Sequence, residues 1–259
     1  MRRRVVAPLV AAVVALALCV GLATPAGAGR SAGFAQLTVY AATSLTNAFP
    51  RIDPSARYSF GGSNTLAAQI QQGAPADLFA SANMTLPQEL FAKGLCSRPV
   101  AFARNTLVIV VPRANRARIH RVSDLARPGI KVDIAAPAVP VGSYTLQVLK
   151  KLKLAAAVLK NVVSQESDVR AVLSKVALGE ADAGFVYSTD ARTVPGKVAA
   201  VNVPAWAQPK VQYGICVVTA TAQKADAQAF VNRVLSKAGQ AKLIAAGFLP
   251  RRAPVAAKR

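Results

Sequence analysis

Two segments of this chain each place a serine directly after a short apolar strand, and this pattern constrains the fold more than any other feature. In residues 37–48, Ser44 follows the predicted strand 37–41, and in residues 60–67, Ser63 follows Gly61-Gly62. Strand-to-helix turns of this kind are typical of an α/β fold, in which the helix starts lie at the carboxyl ends of the strands. The two serines are therefore expected to face one space.

A serine at a helix start has two interpretations. It is a common N-cap, and for either serine alone this is the more frequent role. The first backbone N–H groups of a helix also lack intrahelical partners and carry roughly half a positive charge, so a helix start can hold an anion. A hydroxyl at that point adds a neutral donor. Two such serines in one space favour an oxyanion site.

The composition and the periodicity both indicate α/β organisation. The chain has 259 residues, 53% hydrophobic and 17% charged, which suits one large or two modest domains. Apolar runs such as 106–111 alternate with helical periods. A helix over 169–178, begun by Ser167 or Asp168 and ended by Gly179, is followed by a strand over 183–187. A helix begun at Ser44 is expected to end near residue 49, because Pro50 disrupts the turn before it.

The N-terminus has the three parts of a secretory signal peptide, residues 1–28. Three arginines precede an apolar run over about 5–23, and Ala26-Gly27-Ala28 fits a cleavage site after Ala28. An uncleaved anchor is the alternative, and a lipid anchor at Cys19 is less favoured because Leu18 stands where a small residue is expected. We expect an exported protein that is periplasmic or at the cell surface and soluble after cleavage.

The strong positive charge does not by itself indicate nucleic-acid binding. The formal net charge is +21, and three of the basic residues belong to the predicted signal. The remaining basic residues are scattered and have no aromatic residues between them, which is typical of a solvated surface. Export argues further against nucleic acid, and also against the ligand-sensing domain of a transcription regulator.

Two cysteines remain after the signal, Cys96 and Cys216. An oxidising compartment permits a disulfide between them, and two buried free thiols are the alternative. An exported serine hydrolase that uses Ser44 or Ser63 is disfavoured. His120 is the only histidine, and the sequence contains no Gly-x-Ser-x-Gly elbow.

Five segments together resemble the molybdate-binding proteins of ABC transporters, in the same order and over essentially the whole mature chain. These segments are residues 41–48, 63–70, 72–79, 167–170 and 184–190. The resemblance implies an α/β, two-lobed periplasmic-binding-protein fold of type II (Venus-flytrap), with mixed sheets and two crossover strands. It places lobe I at 33–110 plus 217–259 and lobe II at 111–216.

The resemblance also implies how a tetrahedral oxyanion is held. In that family the ligand is bound by two serine hydroxyls, backbone N–H groups and one tyrosine hydroxyl, and these map by position to Ser44, Ser63, Val141, Val169 and Tyr187. Helix starts near Ser44, Ser63, Ser143 and Val169 would then face the ligand, and Asp168 would turn back to cap its own helix.

The implied protein is a binding protein, not an enzyme. It has no cofactor and no bare metal ion, it is a monomer, and it delivers molybdate or tungstate to an ABC permease. A sulfate or phosphate receptor stays an alternative, because the same donors suit any tetrahedral oxyanion. The chain departs from the family pattern at Pro50 and Pro54, in a first helix that is usually longer.

Overall fold

Strands and helices alternate along residues 36–251, the part of the chain that a computed structural model describes. The predicted signal, its cleavage site and Cys19 lie outside these residues. The strands are β1 Thr38–Ala42, β2 Arg57–Gly61, β3 Leu78–Ser81, β4 Val100–Asn105, β5 Leu107–Pro112, β6 Val132–Ala135, β7 Val162–Glu166, β8 Ala183–Tyr187, β9 Val198–Asn202 and β10 Val211–Val217.

The helices lie between these strands and after the last one. They are α1 Phe49–Ile52, α2 Ser63–Gln71, α3 Thr85–Ala92, α4 Pro140–Lys151, α5 Ala155–Leu159, α6 Val169–Leu178, α7 Ser188–Ala191, α8 Lys224–Leu235 and α9 Lys237–Ala245. Short 3-10 turns form at Thr43–Leu45, Val122–Ala126 and Ala205–Ala207. Within residues 36–251, no helix has both the length and the apolar character that crossing a bilayer requires.

Two five-stranded mixed sheets organise the fold. The first has the order β2-β1-β3-β10-β4 and the second β7-β6-β8-β5-β9. In each sheet three neighbouring strands are parallel, and β10 or β5 is antiparallel to both of its neighbours. We call the part built on the first sheet lobe I and the part built on the second lobe II. The expected two-lobed α/β fold is confirmed.

The chain passes between the lobes earlier than the predicted boundaries at 110 and 216. β5 pairs with β8 and β9, and β10 pairs with β3 and β4. The crossings therefore lie at Thr106 and in residues 203–210, so β5 belongs to lobe II and β10 to lobe I. The fully apolar run of β5 has the same appearance in sequence whichever sheet it joins, and only strand pairing assigns it.

The segment after β1 differs from its prediction. Ser44 lies in the 3-10 turn Thr43–Leu45, and Pro50 occupies the first turn of the separate helix α1. Proline is tolerated at that position because its missing N–H would have no partner there. Pro50 therefore helps to begin a helix and does not end the one that was predicted from Ser44.

Helix α6 and strand β8 have the predicted bounds. The side chain of Asp168 caps α6, and Gly179 ends it in the left-handed conformation (φ 78°). Both predictions are confirmed, because caps and apolar periodicity are local signals. Elsewhere, the helix start expected near Ser143 is wrong, since α4 already begins at Pro140.

Candidate functional site

A small cavity lies between the two lobes, at the carboxyl ends of β1, β2 and β8. Lobe I lines it with residues from three strand ends, and lobe II lines it with the first turns of α4 and α6 and the end of β8. The lining residues are Ala42, Thr43, Ser44, Gly61, Gly62, Ser63, Ala82, Val139, Pro140, Val141, Asp168, Val169 and Tyr187. All five residues predicted to bind a ligand are among them.

Ser63 offers a hydroxyl proton toward the cavity. It is the first residue of α2 and is 1% exposed. Its Oγ accepts a hydrogen bond from the backbone N–H of Ala82, at 3.1 Å. Because a hydroxyl has one proton and two lone pairs, this bond uses the oxygen as acceptor and leaves the proton available. Ser63 does not cap α2, whose N-cap residue is Gly62.

Ser44 belongs to a buried polar network that joins the lobes. Its Oγ lies 2.9 Å from the hydroxyl oxygen of Tyr213 on β10. Asn105, at the end of β4, lies 3.5 Å from the same tyrosine oxygen and donates to Thr189 of lobe II at 2.9 Å. Ser188 of lobe II donates to the amide oxygen of Asn105, at 3.0 Å. The network positions the Ser44 hydroxyl at the crossing between the lobes.

Tyr187 presents a buried hydroxyl that has no hydrogen-bond partner among the described residues. The side chain is 1% exposed and packs edge-on against Tyr213, with ring centroids 5.6 Å apart. Burial raises the pKa of Tyr187 well above its ordinary value, so the group keeps its proton at neutral pH. A buried donor without an acceptor is costly, and a ligand in the cavity would relieve that cost.

Three long helices begin at the cavity. The N-caps of α2 and α4 are Gly62 and Val139, and neither makes a side-chain cap. In α6 the Asp168 carboxylate accepts from the two residues after Val169, at 2.7 and 3.2 Å. The earliest N–H groups, including those of Val141 and Val169, have no intrahelical acceptor. They are available to a bound anion.

The electrostatics of the cavity favour an anion, although no cationic side chain lines it. Neither lysine nor arginine lines the cavity, and its one charged side chain, Asp168, is engaged with its own helix. The starts of α2, α4 and α6 each carry roughly half a positive charge, or about 1.5 charges together. The 3-10 turn at Ser44 is too short to add a comparable dipole, so three helix starts face the cavity and not the predicted four.

The sequence of the described region matches a known family. Residues 37–249 match the model of the bacterial extracellular solute-binding proteins. The chain belongs to this family. Its relatives are solute-binding transport proteins and not enzymes, and the family places it outside the cytoplasm.

Several relatives of this solute-binding protein carry the name of a specific ligand. The molybdate-binding protein ModA of Mycobacterium tuberculosis is 39% identical over 231 residues, which cover 85% of this chain and 87% of the relative. ModA of Haemophilus influenzae is 34% identical over 244 residues, covering 86% and 94%. Among solved structures, the periplasmic molybdate-binding protein of Azotobacter vinelandii is 26% identical, with a TM-score of 0.73, covering 83% of this chain and 99% of that one.

The two lobes of this solute-binding protein touch closely beside the cavity. A Cβ atom added to Gly62 of lobe I would lie 2.3 Å from the carbonyl oxygen of Ser167 in lobe II. Real Cβ atoms do not approach another atom so closely. Gly62 has φ −60° and ψ 131°, so glycine is needed here for space and not for an unusual backbone conformation. The backbone of Gly62 therefore packs directly against the carbonyl of Ser167.

A buried ion pair supports the lobe II side of the site. Arg170 of α6 donates from Nε to Oδ1 of Asp190 in α7, at 3.0 Å, and Asp190 is fully buried. Burial raises the pKa of Asp190 to about 7, although the Arg170 guanidinium acts to lower it. The pair joins the first turn of α6 to the helix that follows Tyr187. It therefore positions two of the predicted binding groups relative to each other.

Two residues of the site were not predicted from the sequence, Tyr213 and Asn105. Both lie on strands next to the crossings between the lobes, and their partners are more than eighty residues away in sequence. No local pattern connects such pairs. The structure gathers all five predicted binding residues around one cavity, and their contacts with a ligand stay a prediction.

The two cysteines after the signal are close together in lobe I. Cys96 follows α3, and Cys216 lies on β10. The structure joins them in a disulfide, with Cα atoms 5.9 Å apart and a sequence separation of 120 residues. Asp77 makes a second long-range connection in the same lobe. It accepts from the N–H of Thr38, at 2.7 Å, and from the hydroxyl of Thr221. These bonds connect the turn before β3 to the start of β1 and to the loop after β10.

Proposed function

We propose that this protein captures molybdate between its lobes and delivers it to an ABC permease. The observation that carries the proposal is the Tyr187 hydroxyl, which lines the cavity fully buried, protonated and without an acceptor. The hydroxyl proton of Ser63 and the first N–H groups of three helices surround the same space. The names of the relatives support molybdate as the ligand.

Neutral donors suit a doubly charged oxyanion that must later be released. Hydrogen bonds to a charged partner contribute about 1.5–3 kcal/mol each, and several of them converge here. Helix dipoles offset most of the ligand charge, and no arginine or lysine forms an ion pair that must break on release. Closure of lobe II over lobe I brings all the hydrogen-bond donors around the ligand, because each lobe supplies only some of them.

Tetrahedral oxyanions of similar charge compete for such donors. Tungstate has the same charge and nearly the same size as molybdate, and we propose that it binds as well. A receptor for sulfate or phosphate is the competing assignment. A thermal-shift screen of molybdate, tungstate, sulfate, phosphate and chromate separates the two. Stabilisation by molybdate at concentrations where sulfate has no effect supports the proposal, and the reverse order contradicts it.

The two serines test the assignment of the donors. We expect Ser44→Ala and Ser63→Ala each to weaken molybdate binding about ten- to hundredfold in calorimetry, the value of one hydrogen bond to a charged group. Thr46→Ala is a matched control, because the Thr46 hydroxyl donates to the carbonyl oxygen of Thr43 and Thr46 does not line the cavity. Unchanged affinity in both serine variants would refute the assignment while leaving the fold intact.

A further inference from the structure

A second cavity, of about 170 Å³, is also lined by Ser44 and by residues of both lobes. We call it the arginine cavity. Lobe I and lobe II both contribute to its lining, which consists of Ser44, Asn47, Ala48, Arg51, Thr189, Arg192, Thr193, Ala245, Ala246 and Phe248. Ser44 lines both cavities, so the two spaces share a wall.

The arginine cavity carries positive charge without a compensating acid. Arg51 comes from lobe I and Arg192 from lobe II, and no aspartate or glutamate lines the space. Neither arginine takes part in the ion pairs found within residues 36–251. The ammonium of Lys242 donates to the backbone oxygen of Arg51 at 2.6 Å. Both arginines are exposed, so water screens most of the repulsion between them, and an anion in the cavity would be attracted to both.

The lining also contains a buried donor. Thr189 is 3% exposed, and its hydroxyl oxygen accepts from Asn105 at 2.9 Å. Its own proton has no acceptor among the described residues, and the hydroxyl is free to donate. Arg192 is exposed, and its side chain lies beside Gly247, where an added Cβ would be 3.1 Å from the guanidinium Nη1. An arginine of lobe II thus lies against a turn of lobe I.

We propose that the arginine cavity binds a second small oxyanion, of the sulfate or phosphate class, which bridges the two lobes. Arg51 and Arg192 would each contribute to it from one lobe, and Thr189 would donate its free proton. Because such an anion contacts both lobes, it stabilises the form of the protein in which the lobes are closed. The inference rests on the proposed function in one respect: the form with closed lobes is the one that is proposed to hold molybdate in the first cavity. Since coupling between two sites is reciprocal, binding in either cavity then strengthens binding in the other.

Calorimetry of molybdate binding in two salts tests this coupling. The wild-type protein is titrated in sodium sulfate and in sodium chloride at matched ionic strength. We expect about tenfold tighter molybdate binding in sulfate, within the usual range of coupling between sites. Competition by sulfate in the first cavity alone would weaken molybdate binding. Competition would act alike on the wild type and on the arginine variant described next, so equal salt effects in these two proteins overturn the proposal.

The double variant Arg51→Gln with Arg192→Gln assigns the effect to the cavity. Its molybdate affinity is expected to be the same in both salts. The control is Arg57→Gln with Arg98→Gln, which removes the same charge from exposed positions that line neither cavity, and it should keep the sulfate effect. A sulfate effect that persists in the Arg51 and Arg192 variant contradicts the proposal.

A separate arm distinguishes failure of this inference from failure of the proposed function. Thermal unfolding of molybdate-free protein is followed during sulfate titration, in a Ser63→Ala background that weakens the first cavity only. Sulfate stabilises most proteins in a general way, so the readout is the difference from the same background carrying the two arginine substitutions. A smaller sulfate shift in that variant supports the arginine cavity even if molybdate does not bind. Equal shifts overturn it.

Discussion

Gly62→Ala should weaken ligand binding without removing any donor. The added Cβ would lie 2.3 Å from the Ser167 carbonyl oxygen, whereas ordinary contact begins at 3.4 Å. The two lobes must therefore lie about 1 Å further apart at this contact. The alternative is a local shift of Ser167, which would carry the neighbouring Val169 N–H away from the cavity. Either movement displaces donors of lobe II from those of lobe I.

The magnitude follows from the hydrogen bonds that this displacement loses. A bond lengthened by about 1 Å is no longer a hydrogen bond, and two donors of lobe II each contribute about 1.5–3 kcal/mol. The expected loss is about 3 kcal/mol or more, or about a hundredfold in affinity. The ligand-free protein should keep its stability, because alanine adopts φ −60° and ψ 131° without strain.

Calorimetry with molybdate measures the loss, and small-angle scattering measures closure. Gly61→Ala is the matched control, because a Cβ there meets only the Leu66 side chain, at 3.4 Å, and its affinity should stay near that of the wild type. We expect the Gly62 variant to compact less than the wild type when ligand is added. Wild-type affinity in Gly62→Ala would refute the argument that closure depends on this contact.

Three further predictions concern stability and the site. Ser63→Ala should lower the melting temperature slightly, as well as the affinity for molybdate, because the N–H of Ala82 loses its acceptor. An unchanged melting temperature would contradict the claim that this hydrogen bond contributes to stability. Asp133 is fully buried without a side-chain partner, and burial, aided by Glu166, raises its pKa to about 7. The pKa of Asp133 is higher in the folded than in the unfolded protein, so this carboxyl group destabilises the fold as pH rises from about 4 to about 7. Asp133→Asn should therefore stabilise the protein by up to about 4 kcal/mol at pH 8 and have little effect at pH 4. Equal shifts in melting temperature at both pH values would contradict this. Replacing Cys96 and Cys216 by alanine should cost about 2–5 kcal/mol in chemical unfolding and leave molybdate affinity unchanged; equal stability would show that the disulfide does not form.

The elements that the sequence predicts well are those with local signals. Helix α6 has an apolar face, an N-cap at Asp168 and a C-terminal Gly179, and each of these acts within a few residues. Strand β8 follows directly. Pro50 shows the limit of such signals, since proline can end one helix or begin another, and the choice depends on the packing of α1.

The arrangement around the cavity depends on contacts that are distant in sequence. The hydrogen bond between Ser44 and Tyr213 joins residues 169 positions apart, and it exists only because β10 inserts between β3 and β4. Strand pairing of this kind has no signature in a single sequence. The resemblance to a family supplied the five predicted binding residues, whereas the contact between the lobes at Gly62 and the arginine cavity required the structure.

The most direct test of the oxyanion site is calorimetry of molybdate binding to Tyr187→Phe beside the wild type. The substitution removes one hydroxyl that has no partner within the described protein, so the ligand-free variant should be at least as stable as the wild type. The account predicts that the dissociation constant rises about ten- to hundredfold. Unchanged affinity in a folded variant would contradict the claim that this buried hydroxyl is held for the ligand.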